Sequence, residues 1–240
     1  MAAAAAVAAA VTLDVVLSGP LTRLDQPVSE WVRSTGLAEP GDWPAQPAPT
    51  IVLDLLTLFG DPLVLLALLP VLAVVCWRRR TVRPLVQLAL LGLLVVGTVA
   101  AMKAGIGRPP PVELLPGEGG RSYPSGHTAT AVAFWGLLAA TADRYGFQGA
   151  PQRAARVLSW LAPLLTMTAM LLRDYHWLSD LIGGAAIGIV LLGVLYGLDR
   201  LALRHWPGAR AGNGAAAGAA VAAGGGARPG LATRAEPRGG

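Results

Sequence analysis

Charge is scarce in this chain. Asp, Glu, Lys and Arg make up 14% of its 240 residues, where a soluble domain carries roughly 25%. With 54% hydrophobic residues and a mean hydropathy of +0.54, that shortfall excludes an ordinary soluble domain and points to a multi-span membrane protein. Cysteine is nearly missing too. Cys76 stands alone inside an apolar run, so an intrachain disulfide is excluded and cysteine usage carries no redox signal. Lysine occurs once, at Lys103, and the net charge of +5 rests on arginine. A basic surplus suits nucleic acid or the positive-inside bias of membrane proteins. The apolar composition selects the second, and no nucleic-acid partner is expected. No Lys or Arg precedes Arg23, so Met1 to Gly19 lacks the basic start of a cleaved signal peptide. It reads as an uncleaved first span, with Asp14 near its outer end.

At about 20 residues per span, the length accommodates six helices and a tail. The hydrophobic runs predict an all-α transmembrane bundle with spans at 1–19, 63–77, 84–102, 127–142, 157–172 and 181–198. Residues 20–61 form an outer loop rich in Pro and Gly. Within it, Leu21, Leu24, Val28, Trp31 and Val32 recur at helical spacing between charges, which predicts a short amphipathic helix in the membrane interface. Thr50 is placed to cap an apolar helix from Ile51 to Phe59, interrupted by Gly60-Asp61-Pro62. Residues 62–206 make the transmembrane core. Residues 207–240 are Gly/Ala/Arg low complexity and read as a disordered tail.

Six spans with the N-terminus inside put both termini in the cytoplasm. Arg78, Arg79, Arg80, Arg83, Arg144, Arg153, Arg156, Arg200, Arg204 and the tail arginines then lie inside. The outer exceptions are Arg23, Arg33, Lys103, Arg108, Arg121 and Arg173. Most of them belong to, or adjoin, three polar islands that fall on the outer face. The islands are Lys103 to Pro109, Tyr123-Pro124-Ser125-Gly126-His127, and Arg173 to Asp180.

The islands carry chemistry. His176 and Asp180 are four apart and share one face if helical. A carboxylate on one imidazole nitrogen fixes the tautomer and leaves the other nitrogen as nucleophile or base. A second histidine, His127, can protonate a leaving oxygen. Lys103 and Arg108 supply positive charge, while Ser125 and Gly126 precede a helix N-terminus that favours an anion. Together these groups describe a site for phosphoryl transfer.

Lys103…Arg108-Pro109, Pro124-Ser125-Gly126-His127 and Arg173…His176-x3-Asp180 resemble the three-part signature of the type 2 phosphatidic acid phosphatase superfamily, shared by vanadium haloperoxidases and bacterial acid phosphatases. The likeness covers roughly residues 50–200. It implies a six-helix membrane core and a hydrolase that uses neither metal nor cofactor. It further implies His176 as the nucleophile forming a phosphohistidine, Asp180 as its partner, and His127 as proton donor to the leaving group. Lys103, Arg108, Ser125 and the Gly126 amide would hold the phosphate oxygens.

Two departures stand out. The first motif has four residues, Ala104 to Gly107, between its cations where the family has six; a bend at Gly105 or Gly107 would bring both in. In the third motif the usual serine and arginine positions hold Ala169 and Met170. Arg173, three before His176, is the candidate replacement, with Arg121 second. Bland readings cover the neighbours. Asp174 reads as solvated or as a partner for Arg173, Tyr175 and Trp177 as aromatic belt, Asp54 and Asp61 as helix-end residues, and Glu113 and Glu118 as solvated loop charges. The expected function is lipid-phosphate hydrolysis at the outer face of the plasma membrane. Polyprenyl diphosphate, phosphatidic acid and phosphatidylglycerophosphate are the candidate substrates, and the high-GC composition tilts toward the first. A phosphotransferase on the same fold, or a catalytically silent lipid-binding protein, are the alternatives. A vanadate-dependent peroxidase fits a lipid-embedded site less well.

Overall fold

The computed structural model describes residues 1–38, 48–112 and 120–205. Among them all regular structure is helical. Glu113, Glu118 and the tail from residue 207 lie outside the described residues.

Helix α1 (Ala2–Leu17) ends at Ser18 in the left-handed conformation, and the chain turns sharply into α2 (Thr22–Ser34). The pair is bent by 82°. Asp14 explains its own place in an apolar run: its carboxylate accepts the N–H groups of Leu21 and Thr22 and the Thr22 hydroxyl, closing the start of α2. Helix α2 matches the predicted amphipathic segment, with one difference. Its Asp25, Ser29 and Val32 are buried against the protein, while Leu24 and Trp31 are exposed. The polar stripe faces inward because buried partners await it there.

Helix α3 (Ala48–Thr57) runs into a short 3-10 turn at Leu58–Gly60. The run predicted as one span from Leu63 to Trp77 is instead two pieces, α4 (Pro62–Leu65) and α5 (Leu68–Arg79). Pro70 supplies the reason: it has no N–H to return to the Leu66 carbonyl, and the chain tightens there, with Leu69 N–H bonding Leu66 O at 3.0 Å. Helix α6 (Arg83–Ile106) follows with Pro84 in its first turn, then α7 (Gly126–Arg144), α8 (Ala150–Leu172) and α9 (Leu178–His205).

Among the described residues three helices are long and apolar enough to cross a membrane: α6, α8, and α9 as far as Ala202. The bent pair α1–α2 makes a fourth candidate. Much of their apolar surface faces outward, as at Leu93 and Trp160, which suits lipid rather than water. Helix α7 carries His127 and several threonines, and it is the internal element. Ala129, Ala133 and Leu137 pack with Leu91, Val95 and Val99 of α6 and Ile187, Leu191 and Leu195 of α9 in one core cluster. At the other end of this bundle Asp199 accepts hydrogen bonds from Arg83 and Arg144. The three islands gather at the α7 and α9 N-termini.

Candidate active site

The site is assembled where α6 ends and where α7 and α9 begin. Lys103 lies in the last turn of α6, and Gly107 closes that helix with φ 64°. A left-handed closing residue suits glycine, which has no Cβ to clash. The bend expected at Gly105 or Gly107 is thus at Gly107, and it turns Arg108 out of the helical path and across to α9.

Arg108 is the hub. Its Nη1 donates to Asp180 Oδ1 at 2.8 Å and to Ser179 Oγ at 2.6 Å. Its guanidinium carbon stands 5.3 Å from the Trp177 ring centroid, and the Trp177 indole N–H donates to the Pro109 carbonyl at 2.8 Å. Trp177 therefore forms a wall of the arginine pocket, where the sequence reading had placed it in an aromatic belt.

Asp180 is fully buried at the start of α9. Its Oδ2 accepts the Trp177 N–H at 3.2 Å and lies 3.4 Å from His176 Nδ1. A carboxylate in the first turn reaching back to the first free N–H is half of a capping box. His176 is not on the helix, as a four-residue spacing suggests, but in the turn before it. The cap folds that turn back over Asp180, so the pair still meets.

The middle island sits against both. The Tyr123–Pro124 peptide is cis. Ser125 donates its N–H to the Asp180 carbonyl at 3.1 Å. Its hydroxyl caps α7, accepting the Thr128 hydroxyl at 3.1 Å. Gly184 of α9 permits this contact: a Cβ there would lie 2.5 Å from the Ser125 carbonyl oxygen. Tyr123 is buried against α1, its hydroxyl 2.8 Å from that of Thr12, and burial raises its phenol above the ordinary value. Gly126 and His127 stay partly open. His127 Nε2 lies 3.9 Å from Asp61 Oδ2, while Asp61 Oδ1 accepts the Leu63 N–H at 2.6 Å. Asp61 is thus a helix-end residue, as read, and also a histidine neighbour. Asp180 acts electrostatically on Lys103, and Lys103 and His176 act on His127, which puts the four groups in one cluster.

Arg173 is placed differently. It caps the C-terminus of α8, and Asp174 follows with φ 51°, so the chain turns and the two side chains diverge. A spacing of three would put Arg173 and His176 on one side of a helix, but residues 173–176 form a turn. Arg173 Nε donates to Asp54 Oδ1 at 2.8 Å, Nη1 to the Leu37 carbonyl at 2.9 Å and Nη2 to Tyr175 Oη at 3.1 Å. Tyr175 donates to the same Asp54 oxygen at 3.2 Å, and its phenol is raised above the ordinary value, first by burial. Asp174 is neither solvated nor paired with Arg173. It is buried and accepts from Arg33 Nε at 2.7 Å and Ser29 Oγ at 3.0 Å. Arg121 is exposed. The sequence reading missed Asp25, which accepts from Arg108 and Ser179. Its signal was the Asp25/Ser29/Arg33 stripe at four-residue spacing.

A family model described as the PAP2 superfamily matches residues 80–203. The chain belongs to the PAP2 superfamily. Residues Lys103 to Asp180, with all three islands, fall inside the matched region. The chain is 32% identical over 128 residues to the lipid A 1-phosphatase of Porphyromonas gingivalis, a match covering 53% of this chain and 26% of that protein. Its fold is similar to the crystal structure of the first transmembrane PAP2 type phosphatidylglycerolphosphate phosphatase from Bacillus subtilis, with a TM-score of 0.62 at 18% identity, over 79% of this chain and 92% of that one. Membership of the PAP2 superfamily agrees with the resemblance carried by the motifs, and the apolar helices make this a membrane protein.

Proposed function

We propose that this chain is an integral membrane lipid-phosphate phosphatase working through a phosphohistidine on His176. The observation that carries the reading is the chain of contacts Arg108–Asp180–His176, held beside Lys103 and His127. Asp180 accepts from His176 Nδ1–H, which leaves the Nε2 lone pair for attack on phosphorus. As the new N–P bond forms, the ester P–O bond breaks and His127 gives its proton to the departing oxygen. Water, deprotonated by His127, then cleaves the N–P bond and releases phosphate, restoring both histidines. Lys103, Arg108 and the Gly126 N–H at the α7 N-terminus hold the oxygens as charge builds, with no metal required. Ser125 joins them only where its hydroxyl serves the phosphate and the α7 cap together. Arg173 supports the corner from behind, through Asp54.

A lipid substrate suits the surroundings. An apolar groove of about 440 Å³ is lined by Ala8, Thr12 and Val16 of α1, Met102 of α6 and Ile187 of α9. Met102 adjoins Lys103, and Thr12 holds Tyr123, so a chain in the groove would deliver its headgroup to the islands. The two relatives act, by name, on lipid A and on phosphatidylglycerolphosphate. In our reading the core has six spans in the plasma membrane, with the site outside and both termini in the cytoplasm.

Phosphate release in detergent, with EDTA present, tests this reading. The panel is polyprenyl diphosphate, phosphatidic acid, phosphatidylglycerophosphate and lipid A, for wild type and His176→Ala. The expected result is EDTA-resistant release from at least one lipid, abolished by His176→Ala. No release from any lipid by folded wild type would overturn it and favour the transferase or binding alternatives.

A further inference from the structure

Helix α2 lies outside the three islands, yet it supplies a buried carboxylate to them. Asp25 is 2% exposed. Its Oδ2 accepts from Arg108 Nη2 at 2.6 Å and from Ser179 Oγ at 2.6 Å, and its Oδ1 accepts the Ser179 N–H at 2.9 Å. The contacts are spread over two elements: the arginine delivered by α6 and the first turn of α9. Four and eight residues on, Ser29 and Arg33 fix the same face of α2 to Asp174. Leu24 and Trp31 occupy the outward side.

The geometry separates two roles a carboxylate could play here. A plug would sit where phosphate binds, among His176, His127 and Lys103. A clamp would hold Arg108 from the other side. Asp180 takes Nη1 and Asp25 takes Nη2, so the guanidinium is gripped at both terminal nitrogens. Asp25 makes its hydrogen bonds to Arg108 and Ser179 and, among the described residues, none to Lys103, His127 or His176. Among the described residues no other hydrogen bond meets Arg108 Nε–H or its second Nη2–H. Two donors therefore remain for an oxyanion, on a side chain whose plane is already fixed.

We propose that Asp25 is a positioning residue of the phosphate site, clamping Arg108 against Asp180 and tying the α9 N-terminus that carries Asp180 to α2. The proposal rests on the reading of Arg108 as a phosphate ligand. A fixed guanidinium needs no reorganisation when phosphate arrives or when charge builds on it. Loss of the clamp would leave Arg108 free to swing onto Asp180 alone, and would leave the Ser179 N–H with a weaker acceptor or none.

The test is a titration of inorganic phosphate into the detergent-solubilised full chain, followed by ³¹P NMR, for wild type, Asp25→Asn and Arg33→Ala. Arg33→Ala loosens α2 at its other end without touching Arg108, so it reports what undocking alone does. Asp25→Asn should weaken phosphate binding roughly tenfold to a hundredfold, with Arg33→Ala within about threefold of wild type although both melt at lower temperature. Should Asp25→Asn fail to fold, Ser179→Ala removes only the hydroxyl that Arg108 and Asp25 share, and should weaken binding several-fold. Unchanged or tighter binding in Asp25→Asn, with wild type binding normally, would overturn the clamp and mark Asp25 as a repelling charge. Equal weakening in both variants would assign the effect to α2 docking and overturn it too. Wild type that binds no phosphate would overturn the underlying site reading together with the clamp.

Discussion

Asp180 holds Arg108 at 2.8 Å with one carboxylate oxygen and stands 3.4 Å from His176 Nδ1 with the other. One buried side chain thus couples the cation proposed to bind phosphate to the proposed nucleophile. Asp180→Asn keeps the shape and one acceptor for the Trp177 N–H, but loses the charge for Arg108 and the fixed tautomer of His176. Loss of an equivalent carboxylate partner in a catalytic triad lowers kcat about 10⁴-fold. We expect a fall in kcat of roughly 10³-fold or more, with a smaller change in KM, measured as phosphate release from the preferred lipid.

Arg173 is a buried cation bound to Asp54, the Leu37 carbonyl and Tyr175. Arg173→Ala should therefore act on stability. Removing one partner of a charged, hydrogen-bonded cluster costs about 1–3 kcal/mol, visible as a lower melting temperature. KM for the lipid phosphate should stay within about threefold in the folded protein. A KM raised tenfold or more with no loss of stability would instead make Arg173 a phosphate ligand.

Close packing of α9 on the α7 N-terminus depends on Gly184. Gly184→Ala would put a Cβ 2.5 Å from the Ser125 carbonyl oxygen and 3.2 Å from Thr128 Cβ. A backbone carbonyl cannot step aside without moving the first turn of α7, so destabilisation of about 1–3 kcal/mol is expected, together with reduced activity. Gly97 in α6 has nothing within 4 Å of the same position, so Gly97→Ala should be neutral or slightly stabilising. Thermal unfolding of the two variants in one detergent checks the contrast.

The sequence exposed the candidate site's residues more clearly than their geometry. His127, His176, Asp180, Lys103 and Arg108 were legible because their residue types and order are unusual in so apolar a chain. A bend at Gly105 or Gly107 was legible, since glycine is the usual helix stop, and the structure puts the stop at Gly107. The pairings were not. Arg173 and Asp174 are neighbours in sequence, yet the left-handed turn at Asp174 sends one to Asp54 and the other to Arg33, distant in sequence. Asp25 escaped notice because a helical periodicity does not say which stripe faces inward. Here the polar stripe does, since the buried Ser179 and Asp174 and the half-buried Arg108 are partners that hydropathy cannot register. The run expected as one helix from Leu63 to Trp77 is broken at Leu66 and Ala67, just before Pro70, where the window average concealed one missing N–H.

The most direct test of the account is capture of the covalent intermediate. With a lipid diphosphate, whose leaving phosphate needs little protonation, His127→Ala retains the nucleophile and lacks chiefly the group proposed to activate water, so a phosphoenzyme should accumulate. Incubation with ³²P-labelled lipid diphosphate, a denaturing quench and peptide mapping would locate the label. The account predicts a base-stable, acid-labile label on the peptide containing His176, absent when His176→Ala is added. Continued turnover by His176→Ala, or a label on any other residue, would contradict it.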